Sequence, residues 1–251
     1  MIVYLAGFNA IKNVYNKDTS DIYLLSSFWE HKTGEVPNYV LQDKHILDSG
    51  AFTAINDRTG KYKNFDWLEY CKKYIKFINQ TNQHLFFELD VDCVAGLEKV
   101  EYMRKMIEDG TGKQPIPVWH PNRKWDYFLK MCEEYPYVSV GSIGHIKRLK
   151  PRVIIPIYKK FIDAAHQKGV KIHGLGFTQT QILKFLHFDS VDSTSWVSGG
   201  KYGRVSIFTH NCITHVSPRA RRGKRVIDWK EIGIYNFNQW VQYQQWALTD
   251  L

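Results

Sequence analysis

The sequence predicts an α/β fold, a (β/α)8 TIM-type barrel with a short C-terminal appendage. Three observations carry this expectation. Short β-rich apolar runs recur along the chain, most are followed by an amphipathic stretch of helical spacing, and the whole spans 251 residues. Alternation of this kind over about 250 residues is the pattern of such a barrel. A doubly wound sheet shares the alternation and stays open as a second architecture. However, no GxGxxG follows a strand, GxxxxGKS/T is absent, and no internal repeat is found.

The elements follow in order. IVYLAG (2–7) reads as the first strand and HILDSGAF (45–52) contains the second, ending near Asp48. FDWLEYCKKYIKFINQ (65–80) sets Trp67, Leu68, Tyr74, Ile75 and Ile78 at helical spacing. HLFFELDVD (84–92) is a strand and LEKVEYMRKMIED (97–109) a helix. PIPVWH (115–120) is a strand and KWDYFLKMCEEY (124–135) a helix. YVSVGSIG (137–144) is a strand, and IIPIYKKFIDAAHQKG (154–169) a helix with a glycine stop. KIHGLGF (171–177), TQTQILKFLHF (178–188) and DSVDS (189–193) read as strand, helix and strand, and RVSIFT (204–209) supplies the eighth strand. Residues 1–209 are thus expected to form the barrel. Residues 210–251, which break the alternation, form the appendage with a basic segment and an aromatic helix.

Composition excludes some classes. No apolar run approaches the roughly 20 residues of a membrane span, and the N-terminus lacks the basic and apolar regions of a signal peptide. Four cysteines, Cys71, Cys93, Cys132 and Cys212, lie far apart without a CxxC, which predicts reduced thiols and a cytoplasmic setting. Lys and Arg number 34 against 25 Asp and Glu, a net charge of +9 that favours polyanionic partners. RARRGKR (219–225) concentrates Arg219, Arg221, Arg222, Lys224 and Arg225; it reads either as a solvated loop or as a phosphate-contacting patch, joined by Arg204.

A barrel places its chemistry at the C-terminal ends of its strands. Those ends carry Asp48, Asp90 with Asp92, Trp119 with His120, Gly141 with Ser142, His173 with Gly174, and Asp192. A single acid there is usually a turn or cap residue. Acids after three separate strands converge on one mouth, which suits a metal, a cationic substrate, or acid/base and nucleophilic chemistry.

These motifs resemble those of the tRNA-guanine transglycosylase superfamily, barrel enzymes that exchange guanine in a nucleic acid for a 7-deazaguanine. LDSGAF (47–52) resembles the family's Asp-Ser-Gly-Gly-aromatic motif, with Ala51 for the second glycine. FELDVD (87–92) sits where the family carries a base-reading acid, and SVGSIG (139–144) resembles its glycine-rich motif. KIHGLGF resembles the Gly-x-Gly before the next helix, and SVDSTSWVSGGKYGRVSIFT (190–209) the nucleophile segment. The resemblance implies Asp192 as nucleophile, forming a covalent glycosyl-aspartate, and Asp48 as general acid/base. It implies that Ser49, Gly50, Asp90, Asp92 and His120 line the base site. Gly141, Ser142 and Gly174 would offer backbone groups to the base, and His173 or Phe177 a stacking surface.

The departures bear on the substrate. Where the tRNA enzymes carry a Cys-x-Cys-x-x-Cys zinc motif and a later His-Asn pair, this chain has His210, Cys212 and His215, followed by Tyr235-Asn236. Three of these are competent ligands for a structural zinc and the fourth is a poor one. The chemistry itself needs no cofactor. The compact, altered appendage is most similar to the branch that inserts 7-deazaguanines into DNA in bacteria and phages. DNA is therefore the expected partner and tRNA the alternative, with a 7-deazaguanine base as small-molecule substrate and no membrane. In the helix FNQWVQYQQWAL (237–248), Phe237, Trp240, Val241 and Leu248 share a face expected to pack on the barrel rather than stack on bases. Two other classes stay open: a metal-dependent barrel hydrolase using Asp48, Asp90, Asp92 and His120, and an inactive nucleic-acid-binding module.

Overall fold

The structure is a computed structural model that describes residues 1–31, 36–56, 65–141, 150–198, 203–217 and 228–251. Seven parallel strands form one sheet: β1 (Ile2–Ala6), β2 (Leu24–Ser27), β3 (His45–Asp48), β4 (Val118–Trp119), β5 (Tyr137–Val140), β6 (Lys171–Gly174) and β7 (Ser190–Ser193), in the spatial order β3-β2-β1-β7-β6-β5-β4. Helices flank it: α1 (Phe28–His31), α2 (Ala51–Ile55), α3 (Trp67–Thr81), α4 (Asp92–Ala95), α5 (Leu97–Thr111), α6 (Lys124–Glu134), α7 (Pro151–Gln167), α8 (Thr180–Leu183) and α9 (Trp229–Asp250). Among the described residues no helix is long and apolar enough to cross a membrane.

The sheet is curled. Both of its edges bond to the segment 85–88, one through Leu47 of β3 and the other through Ile116, two residues before β4. Leu47 N–H donates to Leu85 O at 3.0 Å and Phe87 N–H to Leu47 O at 2.9 Å. On the other side Ile116 N–H donates to Phe86 O at 2.8 Å and Glu88 N–H to Ile116 O at 3.0 Å.

Side-chain alternation along each strand divides the interior into two cores. The larger lies between sheet and helices and takes Val3, Leu5, Leu47, Val138, Val140, Ile172 and Val191. The smaller lies on the opposite, inner face and takes Tyr4, Ala6, Leu25, Ile46, Phe87, Ile116 and Val118. By the same alternation Asp48, Ser139, His173, Ser190 and Asp192 belong to the inner face, and the register sets Asp192 beside Tyr4 and Ser190 beside His173. Polar groups thereby enter an otherwise apolar interior.

The helices lie where periodicity puts them, with ends set by local chemistry. In α3 the Asp66 carboxylate caps the first turn, accepting from the N–H groups of Leu68 at 3.1 Å and Glu69 at 3.0 Å. The helix expected over 178–188 shortens to α8, because Phe188 turns into the core against Tyr158 and Phe177.

Two strand expectations are corrected. β2 is not among the expected strands: it runs directly into α1, so the sequence shows no break between strand and helix. The stretch 204–209 is not the eighth strand of the sheet: β8 (Val205–Thr209) pairs antiparallel with β9 (Cys212–Val216) in a separate hairpin. The expected boundary at 209/210 falls at the turn of this hairpin.

Helix α9 is bonded to the start of the chain. The Gln244 amide donates to Val3 O at 2.6 Å and Tyr23 O at 2.9 Å, and accepts from Tyr23 N–H at 3.1 Å. The Met1 ammonium donates to Ala247 O at 2.9 Å. Phe237 and Trp240 are buried, as the packing expectation required, whereas Leu248 is exposed.

Candidate active site

Three carboxyl groups meet where β3, the segment after Glu88 and β7 end. Burial is the main force that pushes the Asp48 carboxyl up to about 7, and the charge of Asp90 adds to it. The Gly50 N–H, which donates to Asp48 Oδ2 at 3.1 Å, opposes the rise, and Asp192 contributes a smaller push in the same direction. Gly50 must be glycine: its φ is +77°, and a Cβ there would lie 2.6 Å from Ser27 Oγ and Trp29 Cβ.

Asp192 is only 7% exposed and is held through one oxygen. His173 Nε2 lies 3.2 Å from Oδ1 and the Gly176 N–H donates to the same atom at 2.5 Å. Gly176, at φ +64°, turns its amide back toward the strand end. Among the described residues no donor reaches Asp192 Oδ2. Behind it, His173 Nδ1 and Ser190 Oγ are 2.5 Å apart, and Ser190 Oγ is 2.5 Å from the Tyr137 hydroxyl.

The two acids of the 87–92 stretch take different surroundings. Asp90 Oδ2 lies 3.1 Å from His120 Nε2. The His120 ring covers Gly141, where a Cβ would come within 2.5 Å of its Cε1 and Nδ1, so glycine at 141 makes room for this imidazole. Asp92 instead accepts from Arg123 Nε and Asn122 Nδ2, both at 2.9 Å. Burial would raise its pKa, but the bond and charge of Arg123 outweigh that and hold it below the usual carboxylate range. Asp92 is thereby joined to a buried network in which Glu88 accepts from Arg104 Nε and Arg123 Nη1, both at 2.6 Å, and from Val118 N–H at 2.8 Å.

The other expected site residues separate into groups. Ser49 is fully buried, its carbonyl accepting from the Tyr70 hydroxyl at 2.7 Å. His173 is also fully buried, against Phe87 with ring centroids 5.0 Å apart, and has no open face for a base to stack on. Phe177 turns away into the outer core against Tyr158 and Phe188. Gly174 packs under Phe188 and Val191, which a Cβ would approach to 3.1–3.2 Å. Arg204 is exposed beside β8. Ser142, Arg219, Arg221, Arg222, Lys224 and Arg225 lie outside the described residues.

His210, Cys212 and His215 do not form a ligand set. Cys212 and His215 are three apart on β9, so alternation sends them to opposite faces. The Cys212 thiol bonds Thr209 O at 3.4 Å, and His215 Nδ1 sits 3.4 Å from Ser206 Oγ. Asn236 clamps β8, accepting from Ser206 N–H at 2.7 Å and donating to Arg204 O at 2.9 Å. No group of three His, Cys, Asp or Glu among the described residues is placed to hold a metal ion.

Ser190, Tyr137 and Gly176 were not singled out from sequence. The signal for Ser190 was its place two residues before Asp192 on one strand, hence on the same face. Phe52 was also missed as a site residue. It is 75% exposed on α2, four residues after Asp48.

Fold and site define an α/β protein with a cluster of three carboxyl groups at the C-terminal edge of a curled parallel sheet. No protein-family model matches the chain, and no curated protein matches it.

Proposed function

We propose that the sheet closes through residues 85–88 into a (β/α)8-type barrel, and that the protein is a nucleic-acid guanine transglycosylase that exchanges guanine for a 7-deazaguanine. The bridges from Leu47 of β3 and from Ile116, just before β4, to 85–88 support the closure. One observation carries the chemical reading: a carboxyl that can hold a proton near neutrality, Asp48, faces a carboxylate held by two donors, Asp192.

In the first half-reaction Asp192 gives an electron pair to C1′ of the nucleotide as the C1′–N9 bond breaks. The bonding pair leaves with guanine, which takes the proton of Asp48. In the second half, the incoming base gives its N9 proton to Asp48. Its N9 then attacks C1′, and the C1′–O bond to Asp192 breaks, restoring the carboxylate. Asp90, set by His120, accepts hydrogen bonds from the amino edge of the flipped-out base, and the exposed Phe52 ring stacks on it. Asp92 is left to the Arg123 network. No cofactor enters these steps, and DNA is the preferred polymer.

The test is exchange of labelled guanine into DNA and tRNA, with capture of a covalent adduct. Asp192→Asn, nearly isosteric, is expected to abolish both exchange and adduct while circular dichroism stays that of the wild type. Exchange at the wild-type rate removes Asp192 from the mechanism, and incorporation into tRNA alone reassigns the polymer.

A further inference from the structure

We propose that His173 is a positioning residue that anchors Asp192 through Oδ1, leaving Oδ2 as the attacking atom, and that Ser190 and Tyr137 set the proton of His173 on Nε2. The inference rests on the transglycosylase reading and adds to it which oxygen reacts and what holds it.

The argument runs outward from the carboxylate, which has acceptors only. Nε2, 3.2 Å from Oδ1, must therefore carry a proton to make a favourable contact. Nδ1 faces Ser190 Oγ at 2.5 Å, and a hydroxyl can donate there. Ser190 Oγ in turn faces the Tyr137 hydroxyl at 2.5 Å. Burial pushes Tyr137 up to about 12, so that phenol keeps its proton, and with the Ser190 proton used toward Nδ1 the phenol is left as the donor of this pair. The serine proton is then directed to Nδ1, which excludes the other tautomer. Ser190 and His173 each use one donor and one acceptor in this line, and both are fully buried.

The consequence for the reaction is geometric. Asp192 Oδ1 already accepts from His173 Nε2–H and Gly176 N–H. When Oδ2 forms the bond to C1′, Oδ1 becomes the ester carbonyl oxygen and keeps both donors. When that bond breaks again, the returning negative charge spreads onto Oδ1, where the two donors stabilise it. The same contacts thus hold the carboxylate through both half-reactions without a change of rotamer.

Two measurements test this. In protein labelled with 15N at histidine, the His173 ring is expected to show its proton on Nε2 and none on Nδ1; a proton on Nδ1 overturns the relay. In labelled-guanine exchange, His173→Asn, which ends short of Asp192, is expected to lower kcat by about 10²-fold with KM for the oligonucleotide unchanged, the cost of a misplaced reacting group. His173→Gln places an amide nitrogen where Nε2 sits and is expected to restore most of that loss. Wild-type kcat in His173→Asn, or equal loss in both variants when both are folded, refutes the positioning role. Wild-type protein that shows the Nε2 proton but exchanges no base in either polymer refutes the transglycosylase reading instead.

Discussion

Asp48 shows at the residue scale how a site can work against the fold that holds it. Its carboxyl is pushed from the ordinary 3.8 up to about 7, chiefly by burial and then by Asp90. The folded state therefore binds more protons than the unfolded state between those values. The stability contributed by the protonated group is full below 3.8 and is lost as pH rises through about 7. Asp48→Asn, which cannot ionise, is expected to raise Tm at pH 8 and leave it unchanged at pH 4, read by thermal melts at both. The same proton starts the proposed reaction, so kcat/KM for the nucleic acid is expected to fall as pH rises past about 7. Asp48→Asn is expected to abolish that fall along with most of the activity. That Asp48 and Asp192 come close to one another was legible in the sequence, because acids at strand ends of a barrel pattern share one mouth. The different surroundings of Asp90 and Asp92 were not, because the partners that separate them, His120 and Arg123, lie about 30 residues further along the chain.

At the scale of elements, β2, α1 and β3 are joined by a buried polar chain. Ser26 Oγ lies 2.9 Å from His31 Nε2 and 2.8 Å from His45 Nε2, and His45 Nδ1 lies 2.9 Å from Gln83 Oε1. Burial is the main cause that lowers both imidazoles to about 4. Unfolded histidines take up a proton near 6.5 and these do not, so stability is present above 6.5 and lost as pH falls towards 4. Asp48 acts in the opposite sense over the whole of this window. The effect is therefore best read in the Asp48→Asn background, where urea unfolding at pH 7 and pH 5 is expected to show the lower stability at pH 5. Equal midpoints at the two values would mean that the pair is not held neutral. Element type followed from pattern where the pattern was long: α3, α5, α6 and α7 span at least 11 residues each and match their predicted stretches. It failed where one element ran into the next or had a second partner to choose from. β2 passes straight into α1, and β8 finds an antiparallel neighbour three residues on rather than a parallel one across the sheet.

For the whole molecule, the segment 85–88 ties the two sheet edges together, and Glu88 ties that segment to the helices. Its buried carboxylate is bound by Arg104 of α5, by Arg123 before α6 and by the Val118 N–H of β4. Burial alone would raise its pKa, but the two guanidinium charges outweigh this and hold it low. Glu88→Gln leaves the buried Arg104 without a counter-charge and Arg123 with Asp92 alone. It is expected to cost ~3–5 kcal/mol, seen as a lower urea midpoint, since breaking a buried pair from one side is far costlier than replacing the whole pair. A variant of unchanged stability would mean that the network is solvated rather than closed.

The sequence by itself determined the alternation of strands and helices, the placing of acids at strand ends and the burial of Phe237 and Trp240 on the last helix. Those depend on local periodicity, which is written into neighbouring residues. Only the tertiary structure decided which acids share a boundary, which oxygen of Asp192 is held, and that Glu88 and Asp92 belong to a structural ion network. It also decided that Cys212 and His215 face apart. Each of these depends on register and on contacts between residues far apart in the chain, such as His173 with Asp192 and Gln244 with Val3. Such contacts carry no periodic signal, because their partners are chosen by the curl of the sheet and the burial it imposes.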